Sequence, residues 1–399
     1  MIASPGLRDY ARLFAAYATG LLGTGVAVVG LSLLAFDIVG DDAGLVIATA
    51  LSIKGFAYVF IAPLAAAMTG RLPKKPLLIA LDVVRAGAIL TLPFATELAH
   101  IYLAVFVFAA ASAAFTPTYQ ALVPRLLPDQ DAYARALAKS RIANELENAV
   151  SPMVAAALLL VLAYRGLFLA AMALFVVSAL FLIFTRLPAP PPATRQGVLV
   201  QLATGMRLLL RTPGLRGLAP LHVAVAAGAA MVMVSTVPIV QGDLDLDGRA
   251  SAVALAAFGL GSVLGALAVP ALLSQIGERT TVLAGCALLV AGLFAGIWVY
   301  GYWPLVALWT VIGIGGATAA TPAPFLLRRL TPPEHHPVVY AALFALANLT
   351  LIVAYQLAGW LGTEFSPAVA FGALGAVAAA GGVATAQAWP RPSPVAPAR

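Results

Sequence analysis

Charge is scarce in this sequence. Of its 399 residues 10% are charged and 62% hydrophobic, and the mean hydropathy is +0.98. A soluble domain carries about 25% charged residues, so a soluble globular fold is excluded. Cysteine is scarcer still: the single Cys286 leaves neither a disulfide framework nor a cysteine metal cluster. Of the four histidines, His100, His335 and His336 fall in or beside predicted loops, and His222 starts an apolar run. No glycine-rich phosphate loop is present, so direct ATP drive is not expected. Nor is any cofactor.

Long apolar runs are what the chain has instead. A helix needs about 20 apolar residues to cross the hydrocarbon core, and helices are the economical choice because unpaired backbone groups in lipid are costly. Twelve spans are predicted, over 13–36, 45–68, 77–95, 101–122, 136–163, 167–184, 218–240, 250–273, 282–300, 304–327, 338–361 and 368–389. The first is too long for a signal-peptide core and lacks a small-residue cleavage site, so it is expected to remain as an anchor.

The net charge of +7 invites a nucleic-acid partner. Its placement argues for a bilayer instead. Arg8, Arg12, Arg71, Lys74, Lys75, Arg125, Arg135, Lys139, Arg186, Arg195, Arg207, Arg211, Arg216, Arg279, Arg328 and Arg329 fall in or beside alternate loops. The opposite loops hold Asp37, Asp41, Asp42, Asp243, Asp245, Asp247 and Glu364, with Arg165 and Arg249 as their only cations. By the positive-inside rule both termini are cytoplasmic, in a multi-pass protein of a bacterial inner membrane. No nucleic-acid binding is expected.

The middle of the chain is a linker. Residues 186–216 open with a proline-rich stretch and continue with apolar positions at helical spacing, arginines opposite, which predicts an amphipathic helix on the inner leaflet. The halves on either side repeat. The turn at 71–80 matches 275–284 at an offset of 204, Thr116-Pro117 recurs as Thr321-Pro322, and Arg125-Leu126-Leu127-Pro128 recurs as Arg329-Leu330-Thr331-Pro332. The predicted fold is therefore all-α, with twelve transmembrane helices in two pseudo-symmetric six-helix bundles over 1–185 and 217–390, the linker over 186–216 and a tail over 391–399. Such duplicated bundles hold substrate between them near mid-membrane and alternate access by rocking.

The turn with Arg71, Lys74 and Lys75 resembles the loop between the second and third helices of the major facilitator superfamily, G-x-L-A-D-R-x-G-R-R, with Gly70 in place of Asp and Pro73 in place of Gly. Phe115 to Pro124, and Asp82 with Arg85, are similar to the macrolide-efflux-like branch, which carries F-x-P-x-x-x-A-x-x-P and D-x-x-R-A. The stretches 53–86 and 141–159 look like the bacterial nickel-resistance type of facilitator. The resemblance implies the major facilitator fold and an exporter driven by the proton gradient. The antiporter motif G-x-x-x-G-P-x-x-G-G would align on Glu147 to Ala156, where Pro152 survives and Glu147 and Ser151 replace the leading glycines. Close backbone packing there is not expected.

An ionisable residue inside the bilayer costs about 2.5–3.5 kcal/mol, so each one needs a reason. Lys54 sits near the middle of the second span, either snorkelling or meeting a carboxylate or substrate in a cavity. The fifth span carries Arg141, Glu145 and Glu147. Arg141 and Glu145 share a face four residues apart and read as an ion pair, whereas Glu147 is the deepest carboxylate of the chain. Burial raises a carboxylate's pKa towards neutrality, which suits proton coupling. Lys54 and Glu147 approach similar depth from opposite faces and are expected to pair in one transport state and separate in the other. Asp82 and Arg85 read as a structural pair bracing the basic turn.

Gln120, Asn148, Asn348 and Gln356 are uncharged polar groups that line a cavity or bridge helices. His222 with Met231 and Met233 offers a weak set of soft metal ligands. Asp243, Asp245 and Asp247 imitate a calcium loop, but its twelfth position is Ala254, so a solvated acidic loop is the better reading. The expected function is proton-coupled export of a small amphipathic compound, drug-like or siderophore-like, by a monomer. The alternative is export of nickel or another divalent metal cation.

Overall fold

In the computed structural model the described residues are 5–62, 64–65, 72–127, 129–187, 198–212, 214–332 and 335–389. Arg71 and the side chains of Arg141, Glu145 and Asn148 lie outside them. The described residues form helices and connecting turns, with no strand. In order these are α1 (Pro5–Val39), α2 (Ala43–Phe56), α3 (Lys74–Thr91), α4 (Leu98–Leu126), α5 (Gln130–Leu158), α6 (Gly166–Ile183), α7 (Val198–Arg211), α8 (Leu218–Val237), α9 (Gly248–Ala295), α10 (Tyr302–Ala320), α11 (Ala323–Leu330), α12 (His336–Glu364) and α13 (Pro367–Ala388). Among them, nine helical stretches are long and apolar enough to cross a membrane. Two of the nine, Gly6–Ile61 and Gly248–Trp298, run to 56 and 51 residues, about double one crossing. α5, with more charge, completes the twelve.

The double helix α9 turns at Gly277, whose φ of 77° and ψ of 166° suit a residue without Cβ. This is where the sequence repeats its basic turn. The repeated Thr-Pro behaves differently in each half: α4 runs straight through Pro117, whereas α10 ends at Ala320 and Pro322 starts the short α11. α5 ends at Leu158, earlier than predicted, and turns through 159–165 into α6.

The basic turns have a shared structural task. Lys75 Nζ donates to the Ile183 carbonyl at 2.6 Å and Arg12 to that of Phe184 at 2.7 Å. In the second half Arg279 donates to Ala386 at 3.0 Å and Arg216 to Ala388 at 3.3 Å. Each bundle thus closes the C-terminus of its last helix, where carbonyls lack helical partners, with two cations that also suit the helix dipole.

Asp82 and Arg85, expected from the sequence to form a structural pair bracing the basic turn, do pair. They form a buried ion pair inside the bundle, 0% and 4% exposed. Ser178 Oγ on α6 lies 2.7 Å from Asp82 Oδ2, and the guanidinium lies 4.1 Å from the Phe115 ring centroid and 4.8 Å from that of Phe175. The pair therefore fastens α3 to α4 and α6.

α7 packs one face on the start of α12, where a Cβ at Gly205 would fall 2.0 Å from the Val338 carbonyl oxygen, and Leu209 is fully buried.

α1 and α8 run parallel. Gly217, before α8, touches Trp389 at the end of α13, while Leu33 of α1 meets Gly248 at the far end. Pro5 and Trp389, where the described residues begin and end, therefore share one end of the molecule. The two halves meet at the opposite end through Leu33 with Gly248, Asp41 with Gly242, and Gly44 with Thr363. Arg249 also donates to the Leu159 carbonyl across the halves at 2.7 Å.

Candidate functional site

α2 enters from the end opposite the termini and reaches Lys54 after about 17 Å of helix; α5 enters from the termini end and reaches Glu147 after about 25 Å. At that level Lys54 Nζ stands 4.0 Å from Glu147 Oε1, with the side chains 28% and 15% exposed. The separation is that of an ion pair and exceeds a direct hydrogen bond.

Why these helices approach here follows from small residues. A Cβ on Gly25 of α1 would sit 2.2 Å from the Ser151 side chain and 3.5 Å from the Glu147 carbonyl. The close packing not expected from the worn motif is present, with the glycine supplied by the partner helix. Pro152 follows, inside α5, and lines the cavity beside Glu147. On α2, a π-helical turn over Ala57–Ile61 begins three residues after Lys54. Such single wide turns are frequent at functional sites.

The pair faces a cavity of about 540 Å³, its open part included, walled by both halves. The first half contributes Gly25, Ser32, Lys54, Glu147 and Pro152; the second contributes Met233 of α8, Leu255 of α9 and Tyr355 of α12. Beside it, Gln356 Nε2 donates to Ser52 Oγ at 3.1 Å, linking α12 to α2. Tyr58, one turn beyond Lys54, lies within electrostatic reach of both Glu147 and Arg85 and packs edge-on against Phe344 across the halves, with centroids 5.9 Å apart.

The other predicted residues disperse. Asn348 Nδ2 donates to its own helix at Phe344, 2.9 Å away, and Gln120 is exposed. Lys74 and Lys75 lie at the termini end of α3. His222 Nδ1 is 2.7 Å from the Leu218 carbonyl, Met231 is fully buried beside Ser235, and Met233 reaches the cavity. His222 and Met231 are separated by about 13 Å of helix, so the soft-ligand set does not converge. Among the described residues no group of three or more His, Cys, Asp or Glu could hold a metal. Asp247 caps α9 by accepting from Ala250 N at 3.0 Å, and Asp245 takes a turn conformation with φ 51°.

Tyr355, Tyr58, Ser32 and Ser52 were not singled out from sequence. Ser52 and Tyr58 fall two residues before and four after Lys54, and Tyr355 adjoins Gln356, proximities that pointed to them; nothing local marks Ser32.

The sequence model of the Major Facilitator Superfamily matches residues 13–298 and 218–399. No curated protein matches the sequence. Among solved structures, a variant of the nucleoside transporter NupG superposes with a TM-score of 0.76 at 14% identity, covering 96% of this chain and 100% of that one. A POT family transporter in complex with 5-aminolevulinic acid gives 0.74 at 13% identity, over 94% and 95%. A bacterial homolog of the human lysosomal transporter Spinster, inward-facing and unoccupied, gives 0.71 at 12% identity, over 97% and 94%. At such identities the likeness is one of fold.

Proposed function

Because the chain belongs to the Major Facilitator Superfamily and is a multi-pass membrane transporter rather than an enzyme, we propose that it exports a small amphipathic compound in exchange for protons. The single observation that carries this reading is the Lys54–Glu147 pair at the wall of a cavity lined by both halves. The macrolide-efflux-like stretch at 115–124 supports export. The positive-inside distribution supports cytoplasmic termini in a bacterial inner membrane. With that orientation the contacts at the opposite end close the outer side.

In this mechanism Glu147 is ionised while it neutralises Lys54. A proton arriving from outside neutralises Glu147 and frees the ammonium; release of the proton to the cytoplasm restores the pair. Alternating access follows as bundles 1–185 and 217–390 rock about the site, because only protonation or substrate changes the relative stability of the two states. Lys54 is the group substrate meets.

Two measurements test this. A deletion strain exposed to a drug panel, nickel and cobalt should show drug sensitivity that the gene corrects; correction of nickel or cobalt sensitivity alone overturns the organic-substrate reading in favour of metal export. With the compound so identified, substrate-induced proton movement in proteoliposomes should be lost in Glu147→Gln while the protein still inserts and folds. Unchanged proton movement removes Glu147 from coupling and turns attention to Glu145.

A further inference from the structure

Arg249 sits at the wrong end of its own helix. It is the second residue of α9, where the helix dipole is positive and a cation is disfavoured. Asp247 offsets part of this. Its Oδ1 accepts from Ala250 N at 3.0 Å, capping the helix, while its Oδ2 lies 4.0 Å from Arg249 Nε.

The end of α5 has the converse need. Its last turn carries no basic residue. The turn that follows uses the Leu158 carbonyl twice, for Val161 N at 3.1 Å and Leu162 N at 2.8 Å, and gives that of Leu159 no backbone donor. This leftover carbonyl, at the negative end of a helix dipole, accepts from Arg249 Nε of the other half at 2.7 Å. The other cation of the same rim, Arg165, stays within the first half, on Asp37 at 3.3 Å and Tyr164 Oη at 2.9 Å.

We propose that Arg249 is the moving latch of the outer gate. With the outer side closed, its guanidinium ties the start of α9 to the C-terminus of α5, the helix that carries Glu147. When the halves part at this end, the Leu159 carbonyl leaves with α5. Asp247 stays on α9, and the guanidinium closes on its free oxygen. One charge-assisted hydrogen bond replaces another. Neither state leaves the arginine unpaired, so the latch biases the gate without locking it. This rests on alternating access and on the orientation argued from charge, but not on the substrate or on proton coupling.

The single native cysteine makes the test direct. Cys286 is buried in the second half at 3% exposure. Ser32→Cys puts a thiol in the cavity wall, one residue before the contact of Leu33 with Gly248. The full-length protein, in right-side-out and in inside-out membrane vesicles, is treated with a charged, membrane-impermeant maleimide, and labelling is assigned to each cysteine by peptide mass. Labelling of the introduced thiol from the outer face should rise at least ten-fold with Arg249→Ala. It should fall at least two-fold with Asp247→Asn, which keeps the helix cap but removes the competing charge. Arg249→Lys should lie between wild type and Arg249→Ala, because an ammonium lacks the fork that reaches carbonyl and carboxylate together. Protection of Cys286 shows that a variant is folded; if Arg249→Ala exposes it, Arg249→Gln is read in its place and should move in the same direction. An outer labelling rate unchanged in the folded Arg249 variant, or raised by Asp247→Asn, overturns the latch. A rise confined to inside-out vesicles keeps the latch and reverses the orientation. Because neither substrate nor gradient is present, loss of the proton-exchange reading leaves this result untouched.

Discussion

Superposing the halves by their repeat offset sets like against unlike. The clamps agree: Arg12 on Phe184 and Lys75 on Ile183 in the first half correspond to Arg216 on Ala388 and Arg279 on Ala386 in the second. The interiors do not. Where the first half buries Asp82, Arg85 and Ser178, the second has Cys286, Leu289 and Gly382, packed together with the cysteine and leucine under 4% exposed. Lys54 and Glu147 correspond to Phe258 and Leu351. One backbone arrangement thus closes with or without interior charge. The clamps belong to the fold; the buried charges are retained for something else, since ion pairs replaced by well-packed apolar groups often cost nothing.

Copying the second half's interior into the first tests this most severely. Arg85→Leu alone strands a buried carboxylate and should cost about 3–5 kcal/mol. The double change Asp82→Cys with Arg85→Leu should recover most of that in detergent thermal unfolding, with Ser178 still donating to the Ala16 carbonyl. A double variant as unstable as the single one breaks the equivalence. A smaller effect is expected at the cavity: Lys54→Met leaves Glu147 only partly buried, so the loss should be about 1–3 kcal/mol, below the value for a fully dry pair. Adding Glu147→Gln should restore stability without restoring proton movement. Lys54→Arg should keep only part of the activity, because a planar guanidinium is not a compact ammonium. The smallest effect belongs to the clamps. Arg12→Ala and Arg216→Ala should each cost about 0.3–1 kcal/mol, and by similar amounts; a large difference between them would show that the halves do not share this device.

Much of the architecture was legible because the bilayer imposes it. Apolar length marked the crossings, cation placement the common end of the termini, and the repeat the two halves. The depth of Lys54 and Glu147 could be counted along their helices, and the structure sets them 4.0 Å apart. Rotation of one helix against another could not be counted. Helices apolar on every side carry no stripe that says which face turns inward, so Ser32 gave no signal. Asp82 and Arg85 were legible as a pair by their spacing, but their partners Ser178, Phe115 and Phe175 sit on helices remote in sequence. α7 read as amphipathic, and that pattern cannot distinguish a lipid surface from the flank of α12.

At the end away from the termini, the seam between α2 and α12 is built on small residues. A Cβ on Gly359 would lie 2.6 Å from that of Ala48 and 2.9 Å from the Gly44 carbonyl oxygen, and Thr363 lies against Gly44. Residues already at the lower limit of size leave mutation a single direction. Any replacement at Gly44 or Gly359 adds atoms to a filled contact and wedges that end apart; none can tighten it. The balance between the two access states is therefore one-sided under random substitution, and chance change at this seam drifts towards an opening on the side away from the termini.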